Sequence, residues 1–236
     1  MEYQLDSHTH TLASGHAYNT IMEMAKAAAD KGLKFLGITD HAPKMPESCG
    51  AFYFSNLSVV DRELYGVELA LGVELNIIDD KGEVDLSEHL LKQMDICIAS
   101  LHAPCIRPGT MKENTNAVVN TMKNPYVNII GHPDDGRYPL DYKKVVKAAK
   151  KHHVLLEVNN SSLNPEGFRL NTHENDTIML KLCMEYEQPV VIGSDAHWMS
   201  QVGTHDRAKS LIDEIEFPYD LVMNYHLEEF KKYINK

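Results

Sequence analysis

Val190-Val191-Ile192-Gly193-Ser194-Asp195-Ala196-His197 sets the pattern for the whole chain: an apolar run of strand length, Val190–Ser194, then a carboxylate and an imidazole two residues apart. A short run rich in β-branched residues reads as a fully buried strand. Working outward, Val127–Gly131 leads into His132, Ile96–Ser100 into Leu101-His102, Leu69–Val73 into Glu74, and Phe35–Thr39 into Asp40-His41. Near the start, Tyr3–Asp6 leads into Ser7-His8-Thr9-His10, with His16 six residues on. Val154–Val158 alone ends in amides, Asn159 and Asn160.

Helical spacing fills most of the gaps. Met22, Ala25 and Ala29 share one face of Asn19–Lys31, with Gly32 as its C-cap, and Val145, Ala148 and Ala149 share one face of Tyr142–His152. Further helices are expected over Asn114–Lys123, Thr177–Tyr186, Asp206–Ile215 and Leu221–Ile234. Strands alternating with helices predict an α/β fold whose parallel sheet is covered on both faces. All but one of the strand ends carry candidate ligands, which must converge on one point. Closure into a seven-stranded, TIM-like (β/α) barrel, with the active site at the C-terminal ends of the strands, achieves this better than an open sheet.

The 236 residues fit one domain spanning 1–236. No apolar run approaches the ~20 residues that span a bilayer, and no basic stretch followed by an apolar core opens the chain, so a cytoplasmic protein is expected. Twenty-three basic against 34 acidic residues give a net charge of −11, which disfavours nucleic acid as the main partner. Cys49, Cys97, Cys105 and Cys183 form no C-x-x-C pair and read as reduced thiols. Metal chemistry must therefore run on carboxylates and on the chain's 13 histidines.

Seven histidines, His8, His10, His16, His41, His102, His132 and His197, together with Glu74 and Asp195, stand at the strand ends or just beyond them. In an extended segment His8 and His10 point to one face and can grip one ion, as can Asp195 and His197. A lone histidine at a strand end is usually structural, but the pattern repeats at six ends. Nine candidates exceed the three protein ligands of a usual catalytic zinc, which points to two or three ions. His89, His152, His153, His173 and His226 read as solvated, while His205 lies near the seventh strand's loop, within reach of substrate.

The set HTHT…H, TDH, GVE, SLH, GHP and SDAH resembles the PHP family, the polymerase and histidinol phosphatase superfamily. EVNNSS (Glu157–Ser162) followed by GSDAH is similar to its YcdX-type phosphatases. The resemblance implies a distorted seven-stranded barrel and a trinuclear site of zinc, with manganese or iron as alternatives. It gives the first ion His8, His10, Glu74 and Asp195, the second His102 and His132 with Glu74 bridging, and the third His16, His41 and His197. Glu74, Asp195 and His197 would then be catalytic.

Such ions outweigh the two ligand carboxylates, suit a dianion and provide a bridging hydroxide at neutral pH. The expected reaction is hydrolysis of small phosphate monoesters. Asn159, Arg107, Arg137 and Arg169 are candidate phosphate contacts, and Asp6 and Asp40 candidate partners of the ligand imidazoles. Cys105 could line the mouth. The segment Leu163–Asp176 is long enough for a lid or substrate wall, and Trp198 and Met199 put bulk at the expected pocket mouth. A nuclease or phosphodiesterase for short nucleic acids, a metal-dependent amide hydrolase and an accessory module of a polymerase are the competing readings.

Overall fold

Thr20 starts the first helix with a reciprocal cap: its hydroxyl accepts from the Glu23 N–H while the Glu23 carboxylate accepts from the Thr20 N–H. Thr110 and Glu113 repeat the device further on. Gly32, at φ +76°, takes the left-handed position just past the first helix, and its N–H donates to the Ala29 carbonyl. The computed structural model describes residues 3–234. In chain order it runs β1 (Leu5–Asp6), α1 (Ile21–Asp30), β2 (Phe35–Ile38), α2 (Ala51–Asn56), β3 (Glu63–Leu64), β4 (Val67–Leu71), β5 (Val73–Asn76), α3 (Glu88–Leu91) and β6 (Cys97–Ser100). It continues α4 (Met111–Thr121), β7 (Ile129–Ile130), α5 (Tyr142–His152), β8 (Leu155–Asn159), α6 (Thr172–Tyr186), β9 (Val190–Gly193), α7 (Asp206–Glu214) and α8 (Leu227–Ile234).

The strands form two sheets, ordered β1-β2-β4-β3 and β5-β6-β7-β8-β9, parallel throughout except where β3 pairs with β4. The α/β class expected from the alternation is therefore present, but the described residues contain nine strands where seven were expected. Part of the difference is β3, a short hairpin partner. The rest is Gly72, which divides the apolar Leu69–Val73 run into β4 and β5. A Cβ there would lie 1.9 Å from the Ile96 carbonyl oxygen, so only glycine lets the chain pass directly from one sheet into the other. Just beyond, His41 and Glu74 form an isolated parallel bridge. At the other edges Thr9 bridges Ala196, and the Asp195 N–H donates to the His8 carbonyl at 2.9 Å.

A small apolar cluster sits at the starts of the strands. Leu5, Phe35, Ala70, Ile98, Ile129, Leu155 and Val191 come from seven different strands and pack with Phe230 of α8. The larger cluster fills the space between sheets and helices. The ligand candidates lie at or just beyond the opposite, C-terminal ends, except Glu74: expected at the end of the Leu69–Val73 run, it is instead the second residue of β5, because the run is divided at Gly72. The expected helix Leu221–Ile234 is shorter, with 3-10 turns at Tyr219–Leu221 and Met223–Tyr225 before α8 begins. The cause is Asn224, fully buried, which accepts from the Ile192 N–H and donates to the carbonyls of Ile192 and Leu5, tying β9 to β1.

Candidate functional site

Glu74, at 1% exposure, is the point on which the strand ends converge. Its Oε1 lies 2.9 Å from His132 Nε2, 3.2 Å from His102 Nε2 and 3.5 Å from His8 Nε2. Its Oε2 lies 2.6 Å from His41 Nδ1 and 3.6 Å from His10 Nε2. Asp195 approaches His10 at 3.3 Å, His197 at 3.6 Å and His8 at 3.8 Å. His16 closes the circle from a more exposed position, its ring centroid 4.9 Å from those of both His41 and His197. All nine residues singled out in the sequence are thus brought together. Two of them, Asp195 and His132, hold φ at +55° and +30°, left-handed values uncommon outside glycine and typical of strained functional positions.

What turns the imidazoles inward is a ring of partners on their far nitrogens. His8 Nδ1 donates to Glu157 Oε1 at 2.7 Å, and His102 Nδ1 donates to the Asn76 side-chain oxygen at 2.7 Å. The Ser14 hydroxyl donates to Asp40 at 2.7 Å, so it can only accept from His10 Nδ1, at 2.9 Å. His197 Nδ1 donates to the Asp195 carbonyl at 3.0 Å. With Nδ1 committed, the Nε2 lone pairs of His8, His10 and His102 point at the centre.

The consequence is a knot of electron pairs that only a cation resolves. His8 Nε2 and His10 Nε2 lie 3.1 Å apart, an approach that needs a proton or a metal ion between them. His41 Nδ1 and Glu74 Oε2, both buried, face each other at 2.6 Å without hydrogen-bond geometry. Three overlapping groups have geometry suited to an ion: His8, His10 and Glu74; His41, Glu74 and His102; and His10, His41 and His197. Nitrogen and carboxylate donors in this arrangement fit divalent transition metals such as zinc. Electrostatics agree. Burial raises the Glu74 carboxyl, but His102, His41 and His8 outweigh it and hold it well below the usual range. Burial together with His197 and His41 keeps the His10 imidazole neutral to far lower pH than usual. For His8, burial is outweighed by Glu157, Glu74 and Asp195, which push its pKa well up.

Glu157 was missed as a site residue. It is fully buried; besides His8 it accepts from the His132 backbone N–H at 2.7 Å and from the Asn159 amide at 3.0 Å. The signal available was an acid inside the otherwise apolar strand VLLEV. Gly193 makes room for it, since a Cβ there would lie 2.0 Å from Glu157 Oε1.

A cavity of about 530 Å³ opens above the cluster, lined at its floor by His16, His41, His102, His132, Asp195 and His197. Of the expected phosphate contacts, Arg137 and Arg169 line it. Arg107 does not: it stands on an exposed stretch outside the lining. Asn159 is buried beneath, donating to Asp195 at 3.3 Å and accepting from Arg169 at 3.4 Å, so it braces the site from behind. Asp6 touches no ligand imidazole; it accepts from the backbone N–H groups of His8, Ser194 and Gly203, pinning β1 to β9. Asp40 reaches His10 one step removed, through Ser14.

Phe168 and Arg169 make the segment after β8 a cavity wall, as its length suggested. Trp198, Met199, Cys105 and His205 lie outside the lining. His205 is instead buried against the Tyr3 ring, and burial, with Asp85, pushes the Cys105 thiol up to about 11, unsuited to a nucleophile.

A family model described as the PHP domain matches residues 6–216. A "probable phosphatase" of Clostridium novyi (strain NT) is 45% identical, over 99% of this chain and 95% of its own length. One from Caldicellulosiruptor saccharolyticus is 45% identical over 99% and 97%. The histidinol phosphate phosphatase of Lactococcus lactis subsp. lactis, solved with zinc, L-histidinol and phosphate, shares the fold with a TM-score of 0.63 at 16% identity, covering 92% of this chain and 95% of that one.

Proposed function

The chain belongs to the PHP domain family, and we propose on that premise that it hydrolyses small phosphate monoesters at divalent metal ions held by its nine strand-end ligands. The observation that carries the reading is the convergence of those nine residues from six strands and the loops after them on Glu74 and Asp195, with imidazole nitrogens facing one another at 3.1 Å. The ligand sets we assign are His8, His10, Glu74 and Asp195 for one ion, His102, His132 and Glu74 for the second, and His16, His41 and His197 for the third. The strands would close as a distorted barrel, one domain, with the bridges Thr9 to Ala196 and His41 to Glu74 as its seams. Zinc is the metal we favour; it is bound in the Lactococcus lactis neighbour. The four free thiols suit a cytoplasmic location, and no helix among the described residues is long and apolar enough to cross a membrane.

Bound ions supply Lewis acidity and lower the pKa of water from 15.7 to about 7, which makes a nucleophile available at neutral pH. The chain's own residues do the rest. Glu157, Ser14 and Asn76 hold three imidazoles in the ligating tautomer. Arg169, which lines the cavity, places both terminal guanidinium nitrogens 3.2 Å from Asp195 and so sets a fixed positive charge beside a ligand carboxylate, where a phosphoryl group would sit. Relatives named as phosphatases along almost the whole chain support a phosphate ester over a cyclic amide.

Phosphate release from a panel of monoesters, with zinc or manganese supplied, tests the proposal. Turnover that Glu74→Ala and His8→Ala abolish is expected. Faster hydrolysis of a single-stranded oligonucleotide than of a mononucleotide, or of a cyclic amide alone, would overturn it.

A further inference from the structure

Above the metal-ligating floor the cavity changes character. Its remaining walls are Met45, Leu101, Ala103, Pro104 and Phe168, and the polar groups among them are confined to Ser161 and the guanidinium groups of Arg137 and Arg169. Arg137 is already engaged, donating from Nε at 2.9 Å and from Nη2 at 2.5 Å to Asp135 Oδ2. A phosphate group with its ions uses only part of a space of about 530 Å³, which falls within the range of pockets that enclose whole small molecules.

Phe168 is 68% exposed, yet it is not a loose surface ring. The guanidinium of Arg137 lies 4.9 Å from its centroid and that of Arg169 lies 5.3 Å away. Both arginines are themselves fixed, the first by Asp135 and the second by Asp195, Ser162 and Asn159. An aromatic surface anchored in this way binds without first having to be ordered.

Resting on the phosphatase reading, we infer that the leaving group of the substrate is an apolar ring, aromatic or heteroaromatic, packed against Phe168 and the Met45, Leu101 and Pro104 wall. Sugar and polyol phosphates are selected against. Each of their hydroxyls enclosed by this wall without a partner costs roughly tenfold in affinity.

Paired ligands with the same phosphorus group and alkyl attachment isolate the ring. Calorimetry on the metal-loaded protein should show 2-phenylethylphosphonate binding at least tenfold more tightly than ethylphosphonate. Phe168→Ala should cut that ratio at least fivefold, and Phe168→Trp should retain it. Among esters, 2-phenylethyl phosphate should exceed both ethyl phosphate and glucose 6-phosphate in kcat/KM by tenfold or more. A phosphonate ratio near one, a ratio unmoved by Phe168→Ala, or glucose 6-phosphate as the better ester overturns the inference while leaving the phosphatase reading intact. Hydrolysis of none of the esters, whatever the phosphonate ratio, overturns the phosphatase reading and this assignment of a leaving group with it.

Discussion

Glu74 and Asp195 in the ligand cluster at and beneath the cavity floor, and Asp134 and Asp176 elsewhere in the interior, are all buried, yet their carboxyl groups titrate in opposite directions. Burial raises all four. For Glu74 it is outweighed by His102, His41 and His8, and for Asp195 by His8, His10 and Arg169, so both are held well below the usual range. For Asp134 burial prevails over Arg169 and Ser162 and pushes the carboxyl up to about 7. For Asp176 burial, reinforced by Asp134 and Glu157, pushes it well above 3.8, and neither of its oxygens has a hydrogen-bond partner. The same desolvation thus yields two ionised ligands in one place and two reluctant acids in another. Partners decide which. Only the first pair is surrounded by groups that would share a cation with it.

The largest effect should come from removing the charge around which the imidazoles gather. Glu74→Gln is expected to lower phosphate release on the order of a thousandfold; near-normal turnover would show that the floor pair is no more functional than the other. Glu157→Gln should weaken metal affinity roughly 10- to 100-fold, read by chelator competition, because His8 loses the carboxylate that fixes its tautomer. Gly193→Ala drives a methyl to 2.0 Å from Glu157 Oε1 and 2.9 Å from the His8 Cβ. A loss of about 1–3 kcal/mol in denaturant unfolding should follow.

The smallest effect has the opposite sign and sharpens the contrast. Because the folded Asp176 binds its proton more tightly than the unfolded chain, its contribution is complete below about pH 4 and is lost as pH rises through the folded pKa. Asp176→Asn should therefore stabilise the protein at pH 8, read as a higher denaturant midpoint, with the gain fading toward pH 4. A loss of stability at pH 8 would mean that the ionised Asp176 carboxylate is held by a partner in the fold.

The floor was legible in the sequence and the wall was not, for a physical reason. His41, His102, His132 and Asp195 each follow a short apolar run, and a parallel strand buried on both faces leaves such a run unmistakable; His8 was marked instead by its His-x-His spacing with His10. The alternation of elements likewise carried the α/β class. Gly72 hid the division of β4 from β5 because the apolar run continues through it, and Asn224 ended a helical pattern through contacts with residues more than 30 positions away. Glu157 was visible as a residue but not as a partner of His8, 149 positions earlier. The placement of Phe168 and Arg169 depends on Asp195, Asn159 and Ser162, so no local signal could give it.

Metal content by elemental analysis, on protein purified without chelator beside its His16→Ala variant, tests the convergence of the nine ligands most directly. The account predicts about three divalent ions per chain, falling toward two when His16 is removed. One ion or none after metal is resupplied would contradict it.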